Sequence, residues 1–249
     1  MTELVLLREL PGSDVKGCGS GVSIAVVGGG VAGITCARML AQHGFAVTVY
    51  EKEKLIGGRA SILPAIQAAP DHGCPFFSGR DKRFTPYLEG FIQAGIVSAW
   101  PARMASCLHG TVHAVEDEGT MYVGVPGMNA MSEFLARGLN VRTDTIVSTI
   151  KRAGTRWKLF AGGKRESFDG VVVSAPAEPS AQLLQSFPTI AADIASITTD
   201  PCWTLIAGFD HPLSVAFDAA HFNSCPITWA ANNRSKPGRA RDEVWTIHA

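Results

Sequence analysis

The glycines between Gly28 and Gly33 are the residues whose spacing points most directly to chemistry. Gly28, Gly30 and Gly33 fit the pattern G-x-G-x-x-G, with Val31 and Ala32 before the last glycine. The first glycine permits a tight turn, the second lets a diphosphate approach the main chain, and the third lets a helix pack closely on a strand. The free N–H groups that open such a helix would face the phosphates. The spacing therefore predicts dinucleotide binding.

The residues on both sides supply the elements that this motif requires. Residues 24–27 form a short apolar run typical of a buried parallel strand. Apolar residues recur at helical spacing after the motif, and Gly44 provides a helix stop. A second apolar run then leads into Glu51, 23 residues after Gly28, near the ~20-residue interval of the acid that binds a ribose hydroxyl. We predict a Rossmann-like unit here, and the alternative is a glycine-rich turn in another α/β protein.

A second glycine pair follows the acidic residue. Gly57 and Gly58 would bring another stretch of main chain close to a ligand, and Arg59 could pair with phosphate oxygens. The extended pattern, with Ala37 and Leu40 in the first helix, resembles the two-dinucleotide-binding-domain flavoproteins of the FAD-dependent amine oxidase superfamily, in particular the renalase-like NAD(P)/FAD-dependent oxidoreductases. The resemblance implies FAD as the cofactor. It also implies an α/β fold: a Rossmann-like FAD-binding domain with a central parallel sheet, helices and a β-meander, into which a smaller mixed α+β substrate domain is inserted.

Residues 71–77 carry the second part of the resemblance. In renalase-like flavoproteins a segment reading Asp-x-Gly-Ala-Gln-Tyr-Phe passes near the flavin. This sequence matches it at Asp71, Gly73 and Phe77 and departs from it at Cys74, Pro75 and Phe76. Proline lacks the backbone donor and phenylalanine lacks the hydroxyl, so polar contacts to the flavin ring would be fewer. The alternative is a surface turn with Asp71 as a local cap. His72 could be a catalytic base, but a neutral histidine in a turn is the preferred interpretation.

The resemblance implies a set of cofactor-binding residues but no catalytic residue and no metal ligand. The contact at Val147 would be made to adenine by its main chain. The cofactor-binding residues expected are Gly28, Gly30, Val31, Ala32, Gly33, Glu51, Lys52, Gly58, Arg59, Gly73, Pro75, Phe76 and Val147. Cys107, His109 and His113 invite a metal hypothesis, but their alternation with apolar residues is more typical of an ordinary strand or hairpin.

Composition narrows the class of protein. The 249 residues suffice for one large or two small domains, and 46% of them are hydrophobic. Lys plus Arg and Asp plus Glu both number 22, so no charge bias points to nucleic acid or an anionic membrane. The six cysteines contain no C-x-x-C, which favours free thiols in a reducing compartment. We expect a soluble, cytoplasmic protein acting on a small molecule, with residues 1–21 a flexible extension that lacks the features of a signal peptide.

The resemblance also sets the expected domains. Residues 22–84 and 128–180 would form the FAD-binding domain, and residues 85–127 and 181–249 the substrate domain. Residues 227–239 look renalase-like, and a basic surface loop is compatible with that resemblance. Relatives continue into a Gly-Asp turn and a helix that face the cofactor. Because the last forty residues here contain no Gly-Asp, we expect a C-terminally truncated member.

These observations lead to one leading functional hypothesis. The resemblance implies an FAD-dependent oxidoreductase, an oxidase that removes a hydride from a small amine or a reduced nicotinamide-type substrate. Two alternatives remain open at this point. One is a non-catalytic or incomplete dinucleotide-binding fragment, and the other is an NAD-dependent dehydrogenase.

Overall fold

The computed structural model describes residues 21–116 and 119–249, and their contacts form two compact units. The first unit runs as far as Gly58 and resumes as Ser132–Asp200, and the second comprises Arg59–Met131 and Pro201–Ala249. This division differs from the expected domains. Residues 59–84, expected with the cofactor domain, lie in the second unit, and residues 181–200, expected with the substrate domain, lie in the first. The expected extension over residues 1–21 lies, apart from Gly21, outside the described residues.

Sixteen strands and five helices are present in the described residues. The strands are β1 (Ser23–Val27), β2 (Ala46–Tyr50), β3 (Phe77–Ser78), β4 (Val97–Ala99), β5 (Met104–Leu108), β6 (Thr111–Val115), β7 (Met121–Gly124), β8 (Asn140–Arg142), β9 (Val147–Ala153), β10 (Arg156–Ala161), β11 (Lys164–Phe168), β12 (Gly170–Val173), β13 (Thr204–Phe209), β14 (Ala219–Asn223), β15 (Trp229–Asn232) and β16 (Glu243–His248). The helices are α1 (Val31–Gln42), α2 (Thr85–Gln93), α3 (Ala130–Ala136), α4 (Ala177–Leu183) and α5 (Pro188–Ala195).

A four-stranded parallel sheet, in the order β12-β1-β2-β8, organises the first unit. Four of the five residues of β1 are buried, which explains why its sequence is a continuous apolar run. Helix α1 connects β1 to β2 as a β-α-β crossover. It ends at Gln42, and Gly44 then takes φ +85°, which a glycine adopts without strain. The predicted strand, helix and second strand are confirmed.

An antiparallel β-meander, β9-β10-β11, completes the first unit. Its inward side chains include Ile150, Leu159 and Phe168. They pack in one apolar cluster with Ala25 of β1 and Tyr50 of β2. The β-meander therefore shares a core with the sheet that carries the glycine motif.

A six-stranded mixed sheet, in the order β13-β16-β15-β14-β5-β6, dominates the second unit. A smaller antiparallel sheet, β3-β7-β4, accompanies it. Trp100, Met128 and Trp229 lie at the centre of the apolar core of this unit. Among the described residues no strand pairs with the outer side of β13, and Leu205 on that strand is 60% exposed.

Most predicted elements are present, and the differences have local causes. An apolar face at Met131, Phe134, Leu135 and Leu139 predicts a helix as far as Leu139, but α3 ends at Ala136, before Gly138 with φ +77°. The sequence also predicts a turn at Glu118-Gly119, of which Glu118 lies outside the described residues. Strands β14 and β15 escaped prediction because they are short and lack a clear alternation of apolar and polar residues. None of the helices in the described part of the chain is both long and apolar enough to cross a membrane.

Candidate cofactor site

The glycine motif forms the turn between β1 and α1. Gly28 has φ +111°, and its N–H donates to the carbonyl oxygen of Tyr50 at 2.8 Å. Gly30 is the N-cap of α1, and no side chain caps the N–H groups that follow it. Val31 and Ala32 form the exposed first turn of the helix. These main-chain donors and the positive end of the helix dipole are therefore available to an anion.

Close main-chain packing explains why glycine occupies these positions. A Cβ on Gly33 would overlap the carbonyl oxygen of Gly28, so only glycine allows the helix to lie this close to the turn. A Cβ on Gly28 would lie 2.7 Å from the Oγ of Ser174, which follows β12. At Gly30, by contrast, the nearest atom to such a Cβ is the Cα of Gly58, 4.0 Å away. This space is what a diphosphate approaching the main chain needs.

Glu51 ends β2 and lies beside the turn. It is 6% exposed, and its Oε2 accepts a hydrogen bond from the N–H of Gly29 at 2.7 Å. Its Oε1 accepts from the N–H of Glu53 at 2.9 Å. The two bonds fix the carboxylate, and each oxygen keeps a further lone pair with which it could accept from a hydroxyl. Lys52, the next predicted residue, is exposed and pairs with Glu53 at 3.4 Å.

The second glycine pair lies against the first. Gly57 donates its N–H to the carbonyl oxygen of Gly29 at 2.9 Å and forms an isolated bridge with Gly30. Gly58 has φ +56°, and a Cβ there would lie 3.2 Å from the Cα of Gly30. The structure thus brings two stretches of bare main chain and one buried carboxylate together, and this arrangement fits a dinucleotide.

Val147 lies at the start of β9, apart from these hydrogen bonds. Its side chain is 7% exposed and packs in the core cluster with Val27 of β1 and Tyr50 of β2. Its strand pairing with Ala161 falls at a register shift in the β-meander. Its predicted contact with adenine through the main chain stays a prediction.

The other predicted residues lie in the second unit. Arg59 is exposed, and its carbonyl oxygen accepts the N–H of Cys74 at 2.7 Å. A Cβ on Gly73 would overlap that same carbonyl oxygen, which explains the glycine. Pro75 and Phe76 are partly buried, and the ring of Phe76 lies 5.5 Å from that of Trp229, centroid to centroid.

The surface-turn alternative for residues 71–77 is wrong at Asp71. This residue is 1% exposed, and its carboxylate accepts hydrogen bonds from Lys236 and Arg239. The surface-loop interpretation of residues 227–239 is wrong at Lys236 for the same reason, because its side chain is fully buried. The sequence predicts no role for either cation. No local signal identifies a partner 165 positions away. The only hint in the sequence is that a lysine and an arginine flank Pro-Gly, and that residues 71–77 contain a single acid with which they could pair.

The described residues contain no grouping of His, Cys, Asp and Glu that could hold a metal ion. The pairing of β5 with β6 gives the reason at Cys107 and His113. Cys107 lies opposite Val112, whereas His113 lies opposite Ser106, so the two side chains point to opposite faces of the sheet. His109 lies in the exposed turn between these strands.

The parallel sheet, the glycine turn and the buried acid after β2 define the class: this is an α/β protein with the Rossmann-like fold of dinucleotide-binding domains. Comparison with protein families agrees. A model of the NAD(P)-binding Rossmann-like domain matches residues 26–89, and a model of flavin containing amine oxidoreductases matches residues 76–247. The chain belongs to the flavin containing amine oxidoreductase family, and this membership implies a flavin cofactor.

Two solved structures support the fold, and one curated protein matches a short stretch of this chain. A carotenoid phi-ring synthase of Streptomyces griseus is 46% identical over 54 residues, which cover 22% of this chain and 10% of that protein. A fatty acid isomerase structure from P. acnes superposes with a TM-score of 0.74 at 10% identity, covering 93% of this chain and 77% of that one. Putrescine oxidase bound to putrescine gives a TM-score of 0.71 at 12% identity, covering 92% and 75%. At these identities the structural likeness shows the fold alone.

Proposed function

We propose that this protein is an FAD-dependent oxidoreductase that removes a hydride from a small amine or from a reduced nicotinamide-type substrate. The observation that carries the proposal is the fixed position of Glu51, whose carboxylate binds the N–H of Gly29 inside the glycine turn. A carboxylate held there by two main-chain donors is suited to a ribose hydroxyl, while the open main chain at Gly30 and Gly58 is suited to a diphosphate.

Family membership supports FAD over NAD as the nucleotide. The family model that covers residues 76–247 describes flavin-containing enzymes. Gly58 also places a second stretch of main chain against Gly30, beyond what the first motif alone supplies. Bound FAD would supply the hydride acceptor.

The residues of this chain would bind the cofactor. Glu51 and the opening of α1 would hold its adenosine diphosphate. The resemblance of residues 71–77 to a segment that passes near the flavin makes Gly73 and Phe76 candidates for contact with its ring. The rings of Trp100 and Trp229 pack against that of Phe76, with centroids 6.4 and 5.5 Å away.

The absorbance spectrum of protein purified without added flavin tests the proposal. An FAD-loaded protein should show the oxidised flavin band at about 450 nm with one flavin per chain. Anaerobic addition of an amine or of a reduced nicotinamide should bleach that band, and the substrate that does so identifies the class. A flavin that neither substrate reduces would contradict the proposed reaction and favour a dinucleotide-binding module without catalysis. Binding of NAD by a flavin-free protein would favour a dehydrogenase.

A further inference from the structure

A buried cluster of one acid and two bases lies in the second unit, and we call Asp71, Lys236 and Arg239 the Asp71 cluster. The Oδ2 of Asp71 accepts hydrogen bonds from the Nζ of Lys236 at 2.9 Å and from Nη2 of Arg239 at 2.7 Å. The side chains of Asp71 and Lys236 are fully buried, and that of Arg239 is 2% exposed. Ion pairs buried to this extent are costly to desolvate, so a requirement other than stability is the natural reason to keep one.

The second carboxylate oxygen and the main chain of Asp71 are also bound. Its Oδ1 accepts the N–H of Met128 at 2.9 Å. Its own N–H donates to Oδ1 of Asn233 at 3.1 Å, and its carbonyl oxygen accepts from the hydroxyl of Thr246 at 2.7 Å. The Nδ2 of Asn233 in turn donates to that hydroxyl at 2.7 Å. Residues distant in sequence therefore fix both the side chain and the main chain of one residue.

The two cations are themselves held in place. The Nζ of Lys236 lies 5.2 Å from the centroid of the Trp100 ring, a cation–π distance. Nη1 of Arg239 donates to the carbonyl oxygen of Gly124 at 2.9 Å. Burial lowers the pKa of Lys236, and the carboxylate of Asp71 opposes that shift.

The anchored residue opens the segment that carries the predicted flavin contacts. Asp71 stands two residues before Gly73, and the N–H of Cys74 binds the carbonyl oxygen of Arg59 at 2.7 Å. At the far end the ring of Phe76 packs against Trp100 and Trp229. Trp100 thus contacts both the cluster and the end of the segment.

We propose that Lys236 and Arg239 are positioning residues for the flavin: acting through Asp71, they hold residues 72–76 in the conformation that receives the flavin ring. The inference rests on the proposed function. It assigns to two residues of the 227–239 segment a role in cofactor binding although neither is predicted to touch the cofactor. Pre-organisation of this kind strengthens binding because the segment does not have to be ordered when the ligand arrives.

The test compares FAD with ADP, since ADP carries the diphosphate and ribose but no flavin ring. Lys236→Met leaves Asp71 paired with Arg239, so the cluster keeps one neutral ion pair and the chain should fold. Its dissociation constant for FAD should rise about tenfold or more, while that for ADP should stay within about twofold of wild type. The fine structure of the bound flavin's absorbance band should also be lost. Arg239→Lys, which keeps the charge but loses the planar fork, should weaken FAD binding in the same selective way.

Arg103→Met is the matched control. Arg103 pairs with Asp218 in the same unit at 2.8 Å, but its side chain is 63% exposed. This variant should bind both ligands as wild type does. Equal losses for FAD and ADP in the Lys236 and Arg239 variants, or no loss for either ligand, would overturn the positioning role while leaving FAD binding by the wild type intact. A wild-type protein that binds no FAD would overturn the proposed function as well.

Discussion

Replacing Glu51 with glutamine should destabilise the first unit measurably, although the two side chains have nearly the same shape. The carboxylate accepts two main-chain N–H groups, from Gly29 at 2.7 Å and from Glu53 at 2.9 Å. A glutamine side chain has one oxygen and one NH2 group, so one of these two N–H groups must face a donor. A hydrogen bond to a charged group contributes about 1.5–3 kcal/mol, and of the two donors Gly29 is buried whereas Glu53 is exposed.

The expected loss for Glu51→Gln is therefore about 2–3 kcal/mol in the free energy of unfolding. For a protein of this size that corresponds to a fall of roughly 5–10 °C in Tm. Urea unfolding followed by circular dichroism measures the first quantity, and a thermal scan measures the second. FAD binding should weaken too, because a neutral amide is a poorer acceptor for a ribose hydroxyl than a carboxylate.

Glu53→Gln is the control for this prediction. Glu53 pairs with Lys52 at 3.4 Å, and both side chains are more than two-thirds exposed, so removing the charge should change stability by less than about 0.5 kcal/mol. If Glu51→Gln is as stable as Glu53→Gln, the buried carboxylate does not stabilise the turn, and its two hydrogen bonds do not contribute as their geometry predicts.

Three further predictions concern other parts of the two units. Gly33→Ala should abolish dinucleotide binding and cost about 1–3 kcal/mol, because its Cβ would overlap a main-chain carbonyl oxygen. Gly170→Ala, whose Cβ would lie 3.6 Å from its nearest neighbour, should leave ADP affinity unchanged in the same titration. Burial, together with the carboxylate of Glu166, raises the pKa of Tyr50 to about 12. The folded protein therefore favours the neutral phenol, and the stability that this provides should be present below about pH 10 and be lost as the pH rises towards about 12. Absorbance titration of wild type against Tyr50→Phe checks this, and a tyrosinate at this position forming near pH 10 would contradict it. Asp71→Asn leaves two buried cations without a carboxylate and should cost about 3–5 kcal/mol in urea unfolding, whereas an unfolding curve like that of wild type would show that the buried charges find other partners.

The sequence predicted the first strand, the glycine turn, the helix and the second strand because these features are local. The turn, the helix and the acid lie within residues 28–51, and the steric requirement at Gly33 is set inside that stretch. Gly33 is a clear case, since its neighbour is the carbonyl oxygen of Gly28, five residues earlier. Short-range steric requirements of this kind produce a motif that can be recognised in the sequence.

The Asp71 cluster could not be predicted in the same way. Asp71 and Lys236 are 165 residues apart, and nothing in residue type distinguishes a lysine that pairs with a buried acid from one that faces water. The pairing depends on β16, which brings Thr246 to the main chain of Asp71, and on the turn that places Asn233 beside it. The boundary between the units could not be predicted for a related reason. The motif Gly57-Gly58-Arg59 is continuous in sequence, but the first unit ends at Gly58 and the second begins at Arg59.

Strand β13 affects how this protein will behave in the laboratory. Its six residues, Thr-Leu-Ile-Ala-Gly-Phe, include no charge and no proline, and Trp203 just before it is 80% exposed. Natural sheets usually protect an edge strand with lysine, proline or a bulge, because the unpaired N–H and C=O groups of an unprotected edge can pair with a strand of another chain. We therefore expect concentrated stocks to self-associate over time, and Leu205→Lys is the substitution we would introduce first in crystallisation trials.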